Sequence, residues 1–237
     1  MASKLTVEQF AAEVSRALGD RLVALLLYGS WARGTHVPDR SDVNTLLICD
    51  TVDDALFTAL APAMREWTRA GRTAPLILTE REWRESADAF PIEYEDMRAA
   101  HRLLAGRDPW PGIQIDRGHL RRQLEHELMG KLVRLRQAYA ALRADPKQLA
   151  RVVVGSAGGF FTMLRAVLRL AGRPAPTSPA ELVRSGGGLI GFPADGLAPL
   201  VQHAMGGPIP RLGKSDPLAT AYLAAVAATA AYVNRLE

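Results

Sequence analysis

The chain opens with apolar residues at helical spacing and continues with short, unbroken apolar runs. Residues 6–9, Thr-Val-Glu-Gln, have the form of a capping box, which marks the start of a helix. The apolar side of this predicted helix consists of Val7, Phe10, Ala11, Val14 and Leu18. The run Leu22–Tyr28 that follows has the length of a strand, and its lack of alternation indicates burial on both faces.

Strands and helices alternate over the rest of the first half. A second strand is predicted at Val43–Cys49, after a loop rich in turn-forming residues, and a third at Leu76–Thr79. Between them, Val52–Ala70 predicts an amphipathic helix. A short helical stretch near Glu80–Asp88 precedes a further candidate strand at Pro91–Tyr94. These elements predict a mixed sheet with flanking helices.

The second half has helical periodicity throughout, and a loop with Gly106, Pro109 and Pro111 separates it from the first. The predicted helices are a long one at 118–144, a second around 160–168, and shorter ones at 179–184, 195–204 and 217–235. Linkers are predicted at 173–179 and at the three glycines 186–188. The predicted fold class is α+β, with a strand-and-helix domain over residues 1–115 and an all-α helical bundle over residues 116–237.

Composition is that of an ordinary globular protein. Of 237 residues, 48% are apolar and 23% are charged, which excludes a disordered chain, a collagen-like fibre and a disulfide-rich scaffold. Cys49 is the single cysteine, and no apolar run of a signal peptide follows the first residues. The uncharged segment 218–233 is rich in alanine and too short for a membrane span. We therefore expect a cytoplasmic protein without a membrane partner.

The two halves carry net charges of opposite sign. Residues 1–115 contain 13 Lys and Arg against 17 Asp and Glu, a net charge of −4, whereas residues 116–237 contain 16 against 8, a net charge of +8. A basic half can hold polyanions such as nucleotide phosphates, and unequal solvated surfaces are the alternative. The basic residues lack interleaved aromatics or a reading module, so we do not expect a nucleic acid as the partner.

The most informative stretch joins the first two predicted strands. Residues 25–34 read Leu-Leu-Leu-Tyr-Gly-Ser-Trp-Ala-Arg-Gly, and residues 41–48 read Ser-Asp-Val-Asn-Thr-Leu-Leu-Ile. These segments resemble the signature of the polymerase beta-like nucleotidyltransferase superfamily, in which a strand ends in Gly-Ser, a short helix follows, and the next strand carries Asp-x-Asp. The resemblance covers about 25 residues. It implies a nucleotidyltransferase-like mixed sheet, and the helical second half is similar in architecture to minimal and antibiotic nucleotidyltransferases.

Gly29, Ser30 and Arg33 are the candidate phosphate-binding residues. A glycine at a strand end lets backbone amides approach a phosphate, and the Ser30 hydroxyl adds a donor where a helix begins. Arg33 has the charge to reach the same phosphate, with a surface salt bridge as the alternative. We therefore expect this turn to bind the triphosphate of a nucleotide.

Asp42 and Asn44 are the candidate metal ligands. Residues two apart on a strand share a face, so both side chains are expected to project towards Gly29 and Ser30. The resemblance implies Mg²⁺, held by carboxylates, which neutralises the triphosphate and activates an acceptor hydroxyl. Asp42 fits this role. Asn44 departs from the family pattern, because it offers a neutral oxygen where the family has a second carboxylate, and the number of ions, one or two, stays open.

A third carboxylate has two candidates. Glu80 is the acid at the exit of the third predicted strand, whose body is apolar. Glu93 lies on the candidate strand 91–94, where it faces away from the apolar side chains beside it, and this suits a general base. Solvent-facing acids on an edge strand are the alternative.

In the second half, Lys131 is expected to reach a β or γ phosphate, and an i,i+4 pair with Glu127 is the alternative. Residues 155–159, Gly-Ser-Ala-Gly-Gly, look like a phosphate loop but lack the Lys-Ser/Thr of a P-loop, so close helix packing is the better interpretation. The five histidines show no metal-ligand spacing.

The resemblance predicts a nucleotidyltransferase that binds a magnesium nucleoside triphosphate and transfers a nucleoside monophosphate to a hydroxyl of a small-molecule or protein acceptor. Asp42, Asn44 and Glu93 are then the catalytic residues. The alternative is a catalytically impaired nucleotidyltransferase fold that serves as a nucleotide sensor or protein-interaction module, which Asn44 and the apolar third strand favour. A homodimer is a possible state in either case.

Overall fold

The computed structural model describes residues 5–38, 40–213 and 217–236. In that part of the chain the strands are β1 (Leu22–Tyr28), β2 (Asn44–Cys49), β3 (Leu76–Thr79) and β4 (His101–Gly106). The helices are α1 (Val7–Leu18), α2 (Ser30–Arg33), α3 (Asp54–Arg69), α4 (Glu80–Glu85), α5 (Pro91–Ala99), α6 (Arg117–Leu142), α7 (Pro146–Leu170), α8 (Pro179–Ile190), α9 (Ala198–Ala204) and α10 (Pro217–Asn234). Short 3₁₀ turns lie at Gly19–Arg21 and Ala194–Leu197. The fold class is α+β, as predicted.

The chain divides into two compact units. The first runs to Asp88 and resumes at Met97–Gln114, and the second combines Ala89–Asp96 with the chain from Ile115 onward. The main division therefore falls one residue before the boundary proposed from the sequence. The segment 89–96 belongs to the second unit, whereas the sequence placed it in the first.

The first unit is built on a four-stranded mixed sheet with the order β3-β2-β1-β4. Strand β1 is antiparallel to both β2 and β4, and β2 is parallel to β3. On one face of the sheet, Leu25 and Leu47 pack into a core shared with Phe10 and Trp67 of the two helices α1 and α3. Leu26 on the opposite face is also fully buried. Burial of β1 on both faces confirms what its unbroken apolar run predicted.

Helix α1 begins as its sequence predicts. The Thr6 hydroxyl accepts a hydrogen bond from the Gln9 backbone N–H at 3.1 Å, and the Gln9 side chain accepts one from the Thr6 N–H at 2.9 Å. This reciprocal pair satisfies two N–H groups that a helix start otherwise leaves without a partner. The ring of Phe10 on α1 then stacks on Trp67 of α3, with centroids 4.2 Å apart.

Two elements of the first half differ from their predictions. Residues 91–94 are not a strand but the first turn of α5, which starts at Pro91, a residue favoured at the first helical position. This window is short and contains only two apolar residues of the kind that mark a face. Such a pattern does not distinguish the two-residue period of a strand from the 3.6-residue period of a helix. The strand β4 was missed, because its sequence His-Arg-Leu-Leu-Ala-Gly has none of the β-branched or aromatic residues typical of strands.

The second unit consists of helices. Helix α6 packs against α7 and α10, around a core that includes Leu124, Leu128, Phe160, Leu164, Tyr222 and Val226. The three glycines 186–188 are not a linker but lie inside α8. A Cβ at Gly186 would lie 2.6 Å from a methyl carbon of Leu164, so the bare backbone allows α8 to approach α7 closely. Of the described helices, only α7 has the length and mean hydropathy (1.3) of a membrane span, and 56% of its apolar window is buried within the structure.

Cys49 is expected to resist alkylation in the folded protein. Its side chain is fully buried on β2, and burial raises the pKa of the thiol to about 11. Because the folded pKa lies above the unfolded one, this group's contribution to stability is complete below the unfolded pKa and is lost as the pH rises towards about 11. We expect iodoacetamide at about pH 8 to modify Cys49 only after denaturation, as mass spectrometry would show. Rapid modification of the native protein would contradict this burial.

Candidate functional site

The turn between β1 and α2 has a backbone that requires glycine. Gly29 has φ 78° and ψ −146°, a region that residues with a side chain rarely adopt. It precedes the single turn of α2, in which the Arg33 N–H donates to the Gly29 carbonyl at 3.0 Å. The Thr35 N–H donates to the Ser30 carbonyl at 2.9 Å, and Gly34 ends the helix in the left-handed conformation. These bonds fix the path of the chain after β1.

Two nitrogen atoms converge on the bare face of Gly29. A Cβ placed there would lie 3.1 Å from Asn44 Nδ2 and 4.0 Å from Arg33 Nη2. Asn44 reaches this position because it opens β2 directly opposite Tyr28, the last residue of β1. We call the Gly29 face, Asn44 and Arg33 the donor cradle. Guanidinium and amide N–H groups are hydrogen-bond donors, and the guanidinium also carries a positive charge.

An aromatic stack holds the loop that joins α2 to β2. Trp31 of α2 stacks on His36, with ring centroids 3.8 Å apart, and donates from Nε1 to the Ser41 carbonyl at 3.2 Å. The Arg72 guanidinium lies over the same indole, 5.4 Å from its centroid, and 5.8 Å from the Trp67 centroid. The loop is thus anchored at both His36 and Ser41, next to the donor cradle in sequence.

The structure places Asp42 outside strand β2. Strand β2 begins at Asn44, so Asp42 lies before the strand and is solvent-exposed. Asp42 therefore belongs to the loop that precedes β2, whereas Asn44 is the first residue of the strand. Within the described ranges, no group of three His, Cys, Asp or Glu side chains is arranged to hold a metal ion. The donors that surround Gly29 are neutral or cationic, which does not suit a pair of divalent cations.

The two candidates for a third carboxylate both have other partners. Glu80, at the start of α4, pairs with Arg84 at 2.9 Å and with Arg107 at 2.6 Å. These hydrogen bonds lower the pKa of Glu80 below its ordinary value. Glu93 lies on the helix α5 rather than on a strand, in the second unit, and its Oε2 accepts from Gln123 Nε2 at 2.9 Å. Neither belongs to the donor cradle.

Lys131 also belongs to the second unit. Its Nζ donates to the Ser156 carbonyl of α7 at 2.9 Å and lies 3.5 Å from the position of a Gly159 Cβ. Burial lowers the pKa of Lys131, and the nearby Arg134 adds to that shift. The segment 155–159, which resembles a phosphate loop in sequence, is part of the helix α7. The segment is therefore helix and not a phosphate loop, but its glycines do not serve close helix packing, since a Cβ at Gly155 or Gly158 would meet nothing within 4 Å.

Two residues near the cradle were not identified from the sequence. Tyr28 pairs with Asn44 on one side and with His101 of β4 on the other, so the three lie in one row across the sheet. His101 Nδ1 lies 3.0 Å from the Met97 carbonyl, which makes that nitrogen the N–H donor. Nothing in the linear sequence indicated this row, because β4 itself was not predicted.

Comparison with known proteins adds no assignment. No protein-family model and no curated protein matches the chain.

Proposed function

We propose that this is a nucleotidyltransferase-like protein that binds the phosphate groups of a nucleoside triphosphate at the donor cradle. The observation that carries the proposal is the convergence of Asn44 Nδ2 and Arg33 Nη2 on Gly29, a residue without a side chain at the end of β1. Phosphate oxygens are acceptors with negative charge, and arginine pairs with them through two parallel hydrogen bonds. The cradle is complementary to such a group in both charge and hydrogen bonding.

The order of elements supports the same proposal. Strand β1 ends at Tyr28, and the Gly29-Ser30 turn, the short helix α2 and strand β2 follow it in the order that the resemblance implies. Because α2 has only four residues, its dipole contributes little, and the binding energy would come from the Ser30 hydroxyl and the donors of Arg33 and Asn44.

The residues present do not fit a two-ion magnesium centre. Asn44 is neutral where the resemblance implies a carboxylate, and Asp42 is the single acid of the motif in the described chain. Glu80 and Glu93 are engaged elsewhere. We therefore favour a protein that binds a nucleotide without two-metal transfer, in the manner of a nucleotide sensor or a module that presents the bound nucleotide to a protein partner.

One observation keeps nucleotidyl transfer as a second candidate. The Asp42 carboxylate is exposed two residues before Asn44. Mg²⁺ keeps several waters and is commonly held by one or two carboxylates together with the substrate's phosphates, so Asp42 would suffice for a single ion that arrives with the nucleotide. The acceptor would then be a hydroxyl of a small molecule or protein.

We propose the cytoplasm as the place of action. Of the described helices, α7 alone is long and apolar enough to cross a membrane, and 56% of its apolar window is buried within the structure, as in the core helix of a soluble protein.

Replacing Asn44 by aspartate distinguishes a donor cradle that binds phosphate from a site that binds a metal ion. A carboxylate at this position repels a phosphate, so we expect Asn44→Asp to weaken magnesium-free ATP binding by about tenfold or more. Asn44→Ala removes the donor without adding charge and serves as the matched control, with an expected loss of a few fold. Calorimetric titration with ATP in the presence of a chelator measures both variants.

The same variant separates the two candidate functions. Magnesium-dependent release of pyrophosphate by Asn44→Asp, absent in the wild type, would support a transferase site from which catalysis has been lost. If Asn44→Asp binds ATP without magnesium as tightly as the wild type, the donor cradle is not the phosphate site.

A further inference from the structure

A concave site lies wholly within the helical unit. The first turns of α7 and the segment after α9 enclose a cavity of about 570 Å³. This volume lies in the range of small-molecule sites, roughly 300 to 1,000 Å³. The residues that line it are Pro146, Lys147, Ala150, Arg151, Ile209, Pro210, Arg211 and Leu212.

The floor of this cavity is apolar. Ala150 is buried, and Leu212 packs against the core of the helical unit. Ile209 is 47% exposed, so its apolar surface is available to a ligand. Transfer of these surfaces out of water favours a ligand with an apolar body.

The rim of the cavity is cationic. Lys147, Arg151 and Arg211 are all exposed, and no acidic residue lines the cavity within the described chain. Lys147 and Arg151 stand four residues apart on one helix, where like charges repel each other. The nearest acid along α7, Asp145, accepts a hydrogen bond at 3.0 Å from the Gln148 N–H, so its carboxylate caps the helix. An anion at the rim would relieve this repulsion.

A second depression makes the cationic rim accessible from both sides. It has a volume of about 410 Å³ and shares Lys147 and Arg151 with the first cavity. The two side chains therefore form a ridge between an apolar cavity and a more polar one, which is lined also by Gln148 and by the helix-capping Asp145. A charged head group on this ridge keeps contact with water while the apolar body occupies the larger cavity.

We propose that this cavity binds an amphipathic small-molecule anion, a carboxylate or phosphate head on an apolar body, with Lys147, Arg151 and Arg211 on the head and Ile209 on the body. The cavity's size favours a single small molecule. The site is separate from the donor cradle, and the proposal does not depend on nucleotide binding.

The test uses four probes with the full chain. Decanoate and decyl phosphate, each below its micelle concentration, combine an anionic head with an apolar chain. Decanol lacks the charge, and acetate lacks the chain. We expect saturable one-site binding of the two decyl anions by calorimetry, with the Ile209 methyl resonance shifted, and at least tenfold weaker binding of decanol and acetate. The relative affinities of the two anions identify the preferred head group.

Variants assign the binding to the cavity. The double variant Lys147→Gln/Arg151→Gln is expected to weaken decanoate binding by about tenfold. Arg136→Gln, which removes an exposed cation of α6 outside the cavity, is the matched control and should bind as the wild type does. Since all three positions are exposed, thermal unfolding should be unchanged. Equal binding of decanol, unchanged binding by the double variant, or no binding of either anion would overturn the proposal.

Discussion

Replacing Gly29 by alanine is expected to abolish nucleotide binding while the protein remains folded. The added Cβ would stand 3.1 Å from Asn44 Nδ2, in the space that the proposal assigns to a phosphate. The backbone at φ 78° and ψ −146° also disfavours any side chain, at a cost of about 1 to 3 kcal/mol. Most domains have a larger reserve of stability, about 5 to 15 kcal/mol, so the variant should still fold.

Gly34→Ala is the matched control for this variant. Gly34 also has a positive φ, 72°, but a Cβ there meets nothing within 4 Å. We expect it to lose about 1 kcal/mol of stability and to keep its affinity for ATP. Calorimetric titration measures the affinity of the two variants for ATP, and thermal unfolding measures their stability. Together they separate an effect on the donor cradle from an effect of backbone strain. Wild-type affinity in Gly29→Ala would exclude this turn as the phosphate site.

The largest loss of stability is expected from Gly106→Ala. Gly106 closes β4 opposite Ala24 with φ 83°, and its Cβ would fall on the Val23 carbonyl oxygen, 2.8 Å from the carbonyl carbon and 2.9 Å from the Ala24 Cα. These are backbone atoms of the central strand β1, so they cannot move aside as a side chain would. The end of β4 must separate from β1, and the bond from the Arg107 N–H to the Val23 carbonyl, 2.8 Å, is lost.

We expect Gly106→Ala to lower the free energy of unfolding by about 3 kcal/mol or more, in the range of severe single substitutions. Gly71→Ala is the control, because Gly71 has φ 76° and open space around its Cβ, so it incurs only the cost of the backbone conformation. Urea unfolding of both variants gives the comparison. If the free energy of unfolding fell by a similar amount in both variants, β4 and β1 would accommodate the added Cβ without extra cost, and this expectation would be wrong.

Sequence patterns predicted the elements whose period is unambiguous. The capping box placed the start of α1 correctly, and the unbroken apolar run placed β1 at Leu22–Tyr28. The long leucine repeat identified α6 within two residues at each end. The wrong predictions concern segments that are too short to show a period, or segments whose structure depends on tertiary contacts. Residues 91–94 fit the period of a strand as well as that of a helix, and they are helical. Strand β4 forms because its backbone pairs with the edge of β1, and its own composition does not favour a strand.

The candidate site was predicted in part. The motif named Gly29, Arg33 and Asn44, and the structure brings these three together. It also placed Asp42 on the strand, but pairing begins only at Asn44, where Tyr28 supplies the partner. The contact of Arg72 with the Trp31 indole joins segments far apart in the chain, and no local pattern encodes such a contact.

Calorimetric titration of the wild-type protein with ATP, GTP, CTP and UTP, with and without Mg²⁺, tests the central claim most directly. The donor cradle predicts that at least one nucleotide binds without magnesium, and that Asp42→Ala, which leaves the cradle intact, preserves this binding. Binding that requires magnesium and disappears in Asp42→Ala would contradict the cradle and favour the transferase. Failure of every nucleotide to bind, with or without magnesium, would overturn the proposed function.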